Sequence, residues 1–223
     1  MTETLAQAIE TLKRSQSMLK PVLETFDARL AEFGADPRSA FWRDADWQRR
    51  RYDILSRLFA EDDRHGGISI TDFGSGYGAF FDYLKDRPVM DASHYTGIDL
   101  SAAMIAEAKT NITDPRAIFQ RHLIATERTD YMFVCGTYNM LLDADRNAWT
   151  DYVKASLAQL WSMTDKALGF NMLRADAPEK YQSLYYADPK EFQDFCRTTL
   201  SADITYTDDS PLPDWTIFIR RSL

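Results

Sequence analysis

Between residues 68 and 173 the chain alternates short apolar runs with helical stretches, and this alternation restricts the fold more than any other feature. "ISITDF" (68–73), "HYTGIDL" (94–100), "AIFQRHLI" (117–124), "YMFVCGTY" (131–138) and "KALGFNML" (166–173) read as strands. "AFFDYLKD" (79–86), "SAAMIAEAKTNI" (101–112), with Ser101 as its N-cap, and "DRNAWTDYVKASLAQLWSMT" (145–164) read as helices. Repeated strand–helix units imply an α/β fold: a parallel sheet with helices on both faces. The tail differs. After a helix at 188–200, "ADITYTDD" (202–209) and "DWTIFIRR" (214–221) read as strands joined by "SPLP", a hairpin that adds an antiparallel strand.

Before the alternation begins, residues 3–33 carry apolar side chains at helical spacing, and Pro21 either kinks this helix or starts a second one. A loop at 33–42 leads into a helix at about 46–61 with Trp47, Tyr52 and Leu55. The expected organisation is a helical N-terminal extension or lid (1–65) and one α/β domain (66–223), within what 223 residues can bury.

A net charge of −8 argues against nucleic acid as the main partner, since such proteins carry a basic stripe. The one basic cluster, "RDADWQRRRYDILSRLF" (43–59), reads as a solvated helix face. Two cysteines far apart imply no disulfide framework and suit a reducing cytosol. No signal-peptide pattern or membrane-span-length apolar run is present, so the expected location is cytoplasmic. The three histidines lack ligand spacing, and no metal is expected.

The first strand runs into "GSGYGA", with Gly74, Gly76 and Gly78 at alternate positions before a helix. Glycine weakens either element and persists where the backbone must turn sharply or approach a ligand. In a parallel sheet the ligand lies beyond the carboxyl ends of the strands. The loop alone fits a dinucleotide or an S-adenosyl ligand. Asp72, just before the glycines, would repel a pyrophosphate but suits an ammonium and a sulfonium. Asp99, ending the second strand, can accept hydrogen bonds from both ribose hydroxyls. The pair favours the S-adenosyl group.

"ITDFGSGYGAFFDYL" followed by "YTGIDLSAAMIAEAK" resembles the first two motifs of class I S-adenosylmethionine-dependent methyltransferases. The resemblance covers about residues 66–223 and implies a seven-stranded, mostly parallel Rossmann-like sheet with an antiparallel C-terminal strand. It implies S-adenosylmethionine as cofactor and S-adenosylhomocysteine as product. Asp72 and the loop of Gly74, Ser75, Gly76 and Gly78 would hold the methionine end. Asp99 would hold the ribose, with Leu100 and Ser101 beside the adenine. Where the family often has an acid after strand three, this chain has "FQRHL", so His122 stands there either as an adenine contact or as an exposed histidine. Gly136, Tyr138 and Asn139, in "GTYN" after strand four, fall where the family lines the methyl-transfer site.

Alignment of the nucleophile supplies much of the catalysis in methyl transfer, and a base is needed when an alcohol attacks. Tyr138, Asn139 and His122 are the candidate catalytic residues, with Tyr185 and Tyr186 as further possible bases. Phe41 and Trp42 are the candidate partial lid. Asn171, Arg174, Tyr181, Tyr185 and Tyr186 are the candidate acceptor wall, with Arg174 available to an acidic acceptor. The leading reading is a methyltransferase acting on a small molecule through an oxygen or nitrogen nucleophile, as a monomer or homodimer. The alternatives are an S-adenosyl-binding accessory protein without catalysis, a transferase acting on protein or RNA, and a nicotinamide-dependent oxidoreductase.

Overall fold

The computed structural model describes residues 3–208 and 212–221. Its sheet contains β1 (Ser69–Phe73), β2 (His94–Asp99), β3 (Ala117–Arg121), β4 (Thr129–Cys135), β5 (Thr164–Arg174), β6 (Tyr186–Ala187), β7 (Ile204–Thr207) and β8 (Asp214–Arg220). The order is β3-β2-β1-β4-β5-β8-β7, with β6 pairing β5 off this path. The first five strands are parallel, and β8 runs antiparallel to both β5 and β7. The expected mostly parallel sheet with an antiparallel C-terminal strand is therefore present. It has eight strands rather than seven. The extra strand, β6, is two residues long and pairs Leu173 with Tyr186, too short to leave a period in the sequence. Residues 209–211, the last of the expected strand at 202–209 and the first two of the expected linker, lie outside the described residues.

The helices are α1 (Glu3–Arg14), α2 (Gln16–Phe33), α3 (Ala45–Leu55), α4 (Ala79–Leu84), α5 (Ala102–Asn111), α6 (Arg146–Ser162) and α7 (Pro189–Phe195). The N-terminal helix breaks at Ser15 rather than at Pro21. Pro21 sits in the second turn of α2, where it removes a single backbone donor. Ser101 caps α5 as expected, its Oγ accepting the Met104 N–H at 2.9 Å.

Apolar side chains fill both faces of the sheet. One cluster joins α1, α2, α6 and α7 to the sheet through Leu12, Trp149, Leu157, Phe170 and Trp215. The other joins α3, α4 and α5 through Leu55, Phe80, Phe81, Tyr95 and Phe133. The basic cluster on α3 is not wholly solvated. Arg49 and Arg50 are exposed, but Arg51 is buried and ion-paired with Asp214 of β8, a partner remote in sequence. No helix among the described residues is long and apolar enough to cross a membrane.

The topology places the candidate site. β1 is central, with Asp72 registered against Gly97 of β2 and Phe133 of β4. The chain leaves β1 toward β2 and β3, then returns to add β4 and β5 on the other side. This reversal opens a crevice at the carboxyl ends of β1 and β4, where open α/β sheets bind ligands.

Candidate functional site

The crevice is a cavity with about 1030 Å³ of atom-free space, the open solvent at its mouth included. Its floor is the loop after β1. Gly74, Gly76 and Gly78 all have positive φ, at 81°, 54° and 90°. They have different neighbours. A Cβ on Gly74 would lie 2.2 Å from Thr137 Oγ1, and one on Gly78 would lie 2.4 Å from Ile112 and 3.0 Å from Phe119. A Cβ on Gly76 would meet only Met104 Sδ, at 3.9 Å. Gly74 and Gly76 line the cavity, whereas Gly78 does not: its missing side chain makes room for core packing, which corrects its assignment to the cofactor.

The loop is locked to β2 by main-chain and carboxylate bonds. Ile98 C=O accepts the N–H groups of Gly74 and Ser75 at 2.7 and 3.0 Å. Asp99 accepts the Gly76 N–H at 2.9 Å on one oxygen and the Ser101 N–H at 2.8 Å on the other. A carboxylate has about four acceptor positions, so two remain. Burial raises the Asp99 pKa above the usual carboxylate range despite these bonds. Asp72 is buried and accepts one hydrogen bond, from Tyr95 OH at 2.6 Å. Burial, aided by the charge of Asp99 and opposed by the Tyr95 bond, lifts the Asp72 pKa to about 7. Ser101 also donates to Asp27 of α2, tying that helix to the end of β2.

Asp72, Gly74, Ser75, Gly76, Asp99, Leu100, Ser101, His122, Gly136 and Trp42 all line this one cavity. His122 is exposed at the end of β3, its N–H donating to the Asp99 carbonyl at 3.2 Å. At the end of β4, Gly136 has φ 68° and lies under the Trp42 ring, which a Cβ would meet at 2.4 Å.

Several expected acceptor residues sit elsewhere. Tyr138 is turned into the core, fully buried, with its hydroxyl 2.7 Å from Ser156 Oγ and its carbonyl accepting from Trp149 Nε1 at 2.9 Å. Asn139 is engaged by the backbone: its Oδ1 accepts the Leu173 N–H at 3.1 Å and its carbonyl accepts the Tyr185 N–H at 2.8 Å. Asn171 Oδ1 accepts the Gly136 N–H at 2.7 Å and so braces the turn from behind. Arg174 pairs with Asp176 at 2.6 Å. Tyr185 is buried with its hydroxyl 2.7 Å from Thr150, Tyr186 is buried with its hydroxyl accepting the Tyr181 N–H at 3.1 Å, and Tyr181 is exposed. Phe41 stacks edge-on against Phe26 on the outer side of α2. None of these lines the cavity, and the 174–189 segment is tied to the end of β5, where Tyr186 and Ala187 pair with Leu173 and Arg174. The remaining walls come from residues that the sequence analysis did not assign to a site. Leu19, Val22, Leu23 and Phe26 of α2, Gln48 and Tyr52 of α3, and Trp149 and Tyr152 of α6 all face it. Their helical spacing carries no mark that separates a cavity wall from a core contact.

The "Methyltransferase domain" family matches residues 71–146, from the glycine loop to the start of α6. "Putative methyltransferase Rv1506c" of Mycobacterium tuberculosis is 32% identical over 158 residues, covering 70% of this chain and 94% of the relative. The chain belongs to the class I S-adenosylmethionine-dependent methyltransferases. Solved structures with the same fold include magnesium protoporphyrin IX methyltransferase (ChlM) from Synechocystis with bound SAH, at TM-score 0.65 and 14% identity over 91% of this chain and 99% of that one. The DhpI–SAH complex gives TM-score 0.63 and 16% identity over 90% and 95%. For this methyltransferase the matched residues contain the glycine loop and Asp99 but not α2, Trp42, α3 or the body of α6, so kinship speaks to the cofactor half of the cavity and leaves the other half to its own geometry.

Proposed function

We propose that the protein transfers a methyl group from S-adenosylmethionine to a small molecule held in the cavity between the glycine loop and α2. The residues fit the cofactor. Asp72 is a buried carboxylate with a raised pKa and one hydrogen-bond partner, a group that a neighbouring cation would stabilise. Asp99 keeps free acceptor positions for two hydroxyls. Gly76 leaves open space in which a ligand can approach the main chain.

In this reading Asp72 and the Gly74–Gly76 turn hold the methionine end, Asp99 holds the ribose, and Leu100, Ser101 and His122 border the adenine. When bound, the cofactor supplies an electrophilic methyl on a sulfonium: the acceptor's lone pair forms the new bond, the carbon–sulfur pair stays on sulfur as a neutral thioether, and the acceptor's proton leaves to solvent. The chain's own contribution is positioning and exclusion of water. Trp42 over Gly136 and the apolar face of α2 form the acceptor side, with α2, Trp42 and α3 of the N-terminal extension acting as the cover. The Cys135 thiol borders the cavity, but burial pushes its pKa up, so it stays protonated and takes no part as a nucleophile.

The observation that carries the small-molecule reading is the single recess shared by Asp72, Asp99, Trp42, Trp149 and Tyr152, which favours an acceptor small enough to enter it. Transfer of labelled methyl from S-adenosylmethionine into low-molecular-mass material tests it. Cofactor binding without any transfer would instead make the protein an accessory subunit, and label in protein or RNA would give a macromolecular acceptor.

A further inference from the structure

We propose that the acceptor is uncharged and largely apolar, a phenol on a hydrocarbon or aromatic frame whose proton leaves to water at the cavity mouth, and that the Tyr152 hydroxyl is its polar anchor. This rests on the methyltransferase reading of the same cavity.

The first argument is the charge of the lining. It includes no lysine or arginine, and its carboxylates are Asp72 and Asp99, both assigned to the cofactor. The neighbouring arginines are engaged elsewhere. Arg51 lies behind Trp42, 4.5 Å from the ring centroid, and is paired with Asp214. Arg174 is paired with Asp176, Arg146 donates to the Tyr186 carbonyl, and Arg29 donates to the Arg38 carbonyl at 2.8 Å. A carboxylate or phosphate entering the recess would lose its hydration, meet no cation and face two acidic side chains. His122, at the carboxyl end of β3, lines the cavity on the side assigned to the adenine.

The second argument is the wall itself. Leu19, Val22, Phe26, Trp42 and Trp149 present hydrocarbon and ring surface, which rewards apolar area, and two of the polar groups beside them are engaged: Gln48 donates to Tyr77 and Thr137 to the Phe73 carbonyl. Trp149 already donates its Nε1–H to Tyr138.

The third is Tyr152. Tyr152 is buried at the cavity with its ring 6.0 Å from that of Tyr138, and no hydrogen bond of its hydroxyl is found among the described residues. Buried tyrosine hydroxyls ordinarily find partners. Burial, with the charge of Asp99, pushes its pKa up, so the group stays protonated and neutral. It can donate to, or accept from, an acceptor hydroxyl and fix its direction, which makes it a positioning residue and not a base.

The test incubates the full chain with methyl-tritiated S-adenosylmethionine and a total small-molecule extract of cells that carry the protein. The products, separated chromatographically from unreacted S-adenosylmethionine, are then partitioned at pH 7 between ethyl acetate and water and passed over an anion exchanger. The expected result is label in the organic phase, unretained by the exchanger. Label that is retained on the exchanger, or that stays in water as a cation or zwitterion, overturns the proposal while leaving the transferase reading intact. No label in any fraction, with S-adenosylhomocysteine still bound in calorimetry, overturns the transferase reading and the proposal with it. For the labelled acceptor, Tyr152→Phe is expected to raise KM about tenfold, with the dissociation constant of S-adenosylhomocysteine within twofold of the parent. An unchanged KM removes Tyr152 as the anchor. A shift in product affinity instead assigns its hydroxyl to the cofactor and likewise overturns the anchor.

Discussion

The two halves of the cavity are built on different principles. The cofactor half is contiguous in sequence: Asp72, the glycines and Asp99 sit on one strand–loop–helix unit and its neighbour, and the Ile98 carbonyl and the Asp99 carboxylate fix the loop by accepting its N–H groups. The acceptor half is assembled from α2, the Trp42 turn, α3 and α6, which meet only in the folded chain. The first half is specified by backbone conformation and buried charge, so few residue types serve. The second is specified by shape and apolarity, which many sequences can supply.

That contrast can be broken at the glycines. Gly76→Val is expected to abolish binding of S-adenosylhomocysteine, because the added side chain enters the cavity while meeting little else. Strain from φ 54° costs about 1–3 kcal/mol of stability, so the chain still folds. Gly78→Val should do the reverse in emphasis: its side chain would strike Ile112 and Phe119, and the main loss is in melting temperature. Calorimetry and thermal melts on both variants decide this, and equal effects on binding and stability would mean that the loop is one structural unit without a ligand-facing position.

Asp99→Ala should weaken S-adenosylhomocysteine by roughly 2–3 kcal/mol, the cost of losing a charged acceptor for two hydroxyls. An unchanged dissociation constant would place the ribose elsewhere. Asp72 sharpens the same half through pH. Its folded pKa of about 7 lies above the ordinary aspartate value, so below pH 7 a cationic ligand must displace a proton. Affinity for S-adenosylhomocysteine should therefore fall as pH drops through 7 toward 5, about tenfold per unit, and Asp72→Asn should flatten the profile. The stability of the free protein has the opposite sign. Between about pH 4 and pH 7 the unfolded chain ionises Asp72 before the folded chain does, so this residue makes the fold less stable as pH rises through that window.

The smallest effect is expected on the other side. Tyr138→Phe removes a buried hydrogen bond to Ser156 and should lower stability by about 1 kcal/mol, with turnover unchanged once an acceptor is in hand. A loss of turnover at constant stability would return Tyr138 to the active site.

The sequence made the first half legible because its signals are local. Strand–helix alternation predicts the parallel sheet, and three glycines framed by Asp72 and Asp99 predict where a ligand meets the main chain. The second half was hidden because its signals are relational. Tyr138 follows a turn whose positive φ at Gly136 sends the chain into the core, while Tyr152, on a helix read only as amphipathic, faces the recess. Both are buried tyrosines whose rings lie 6.0 Å apart, and only the packing separates them. Arg51 reads as a solvated cation until Asp214 of β8 is brought against it. Arg174 reads as a receptor for an acidic group until Asp176, two residues on, occupies it. The two-residue β6 carries no period at all.

The central claim is that a cation-bearing S-adenosyl ligand, and not a dinucleotide, occupies the space between Asp72, Gly76 and Asp99. Titration calorimetry of the full chain with S-adenosylmethionine, S-adenosylhomocysteine and NAD at pH 8 tests it directly. Saturable one-to-one binding of both S-adenosyl ligands, with no heat from NAD, is the predicted result. Binding of NAD, or silence with both S-adenosyl ligands, would contradict it.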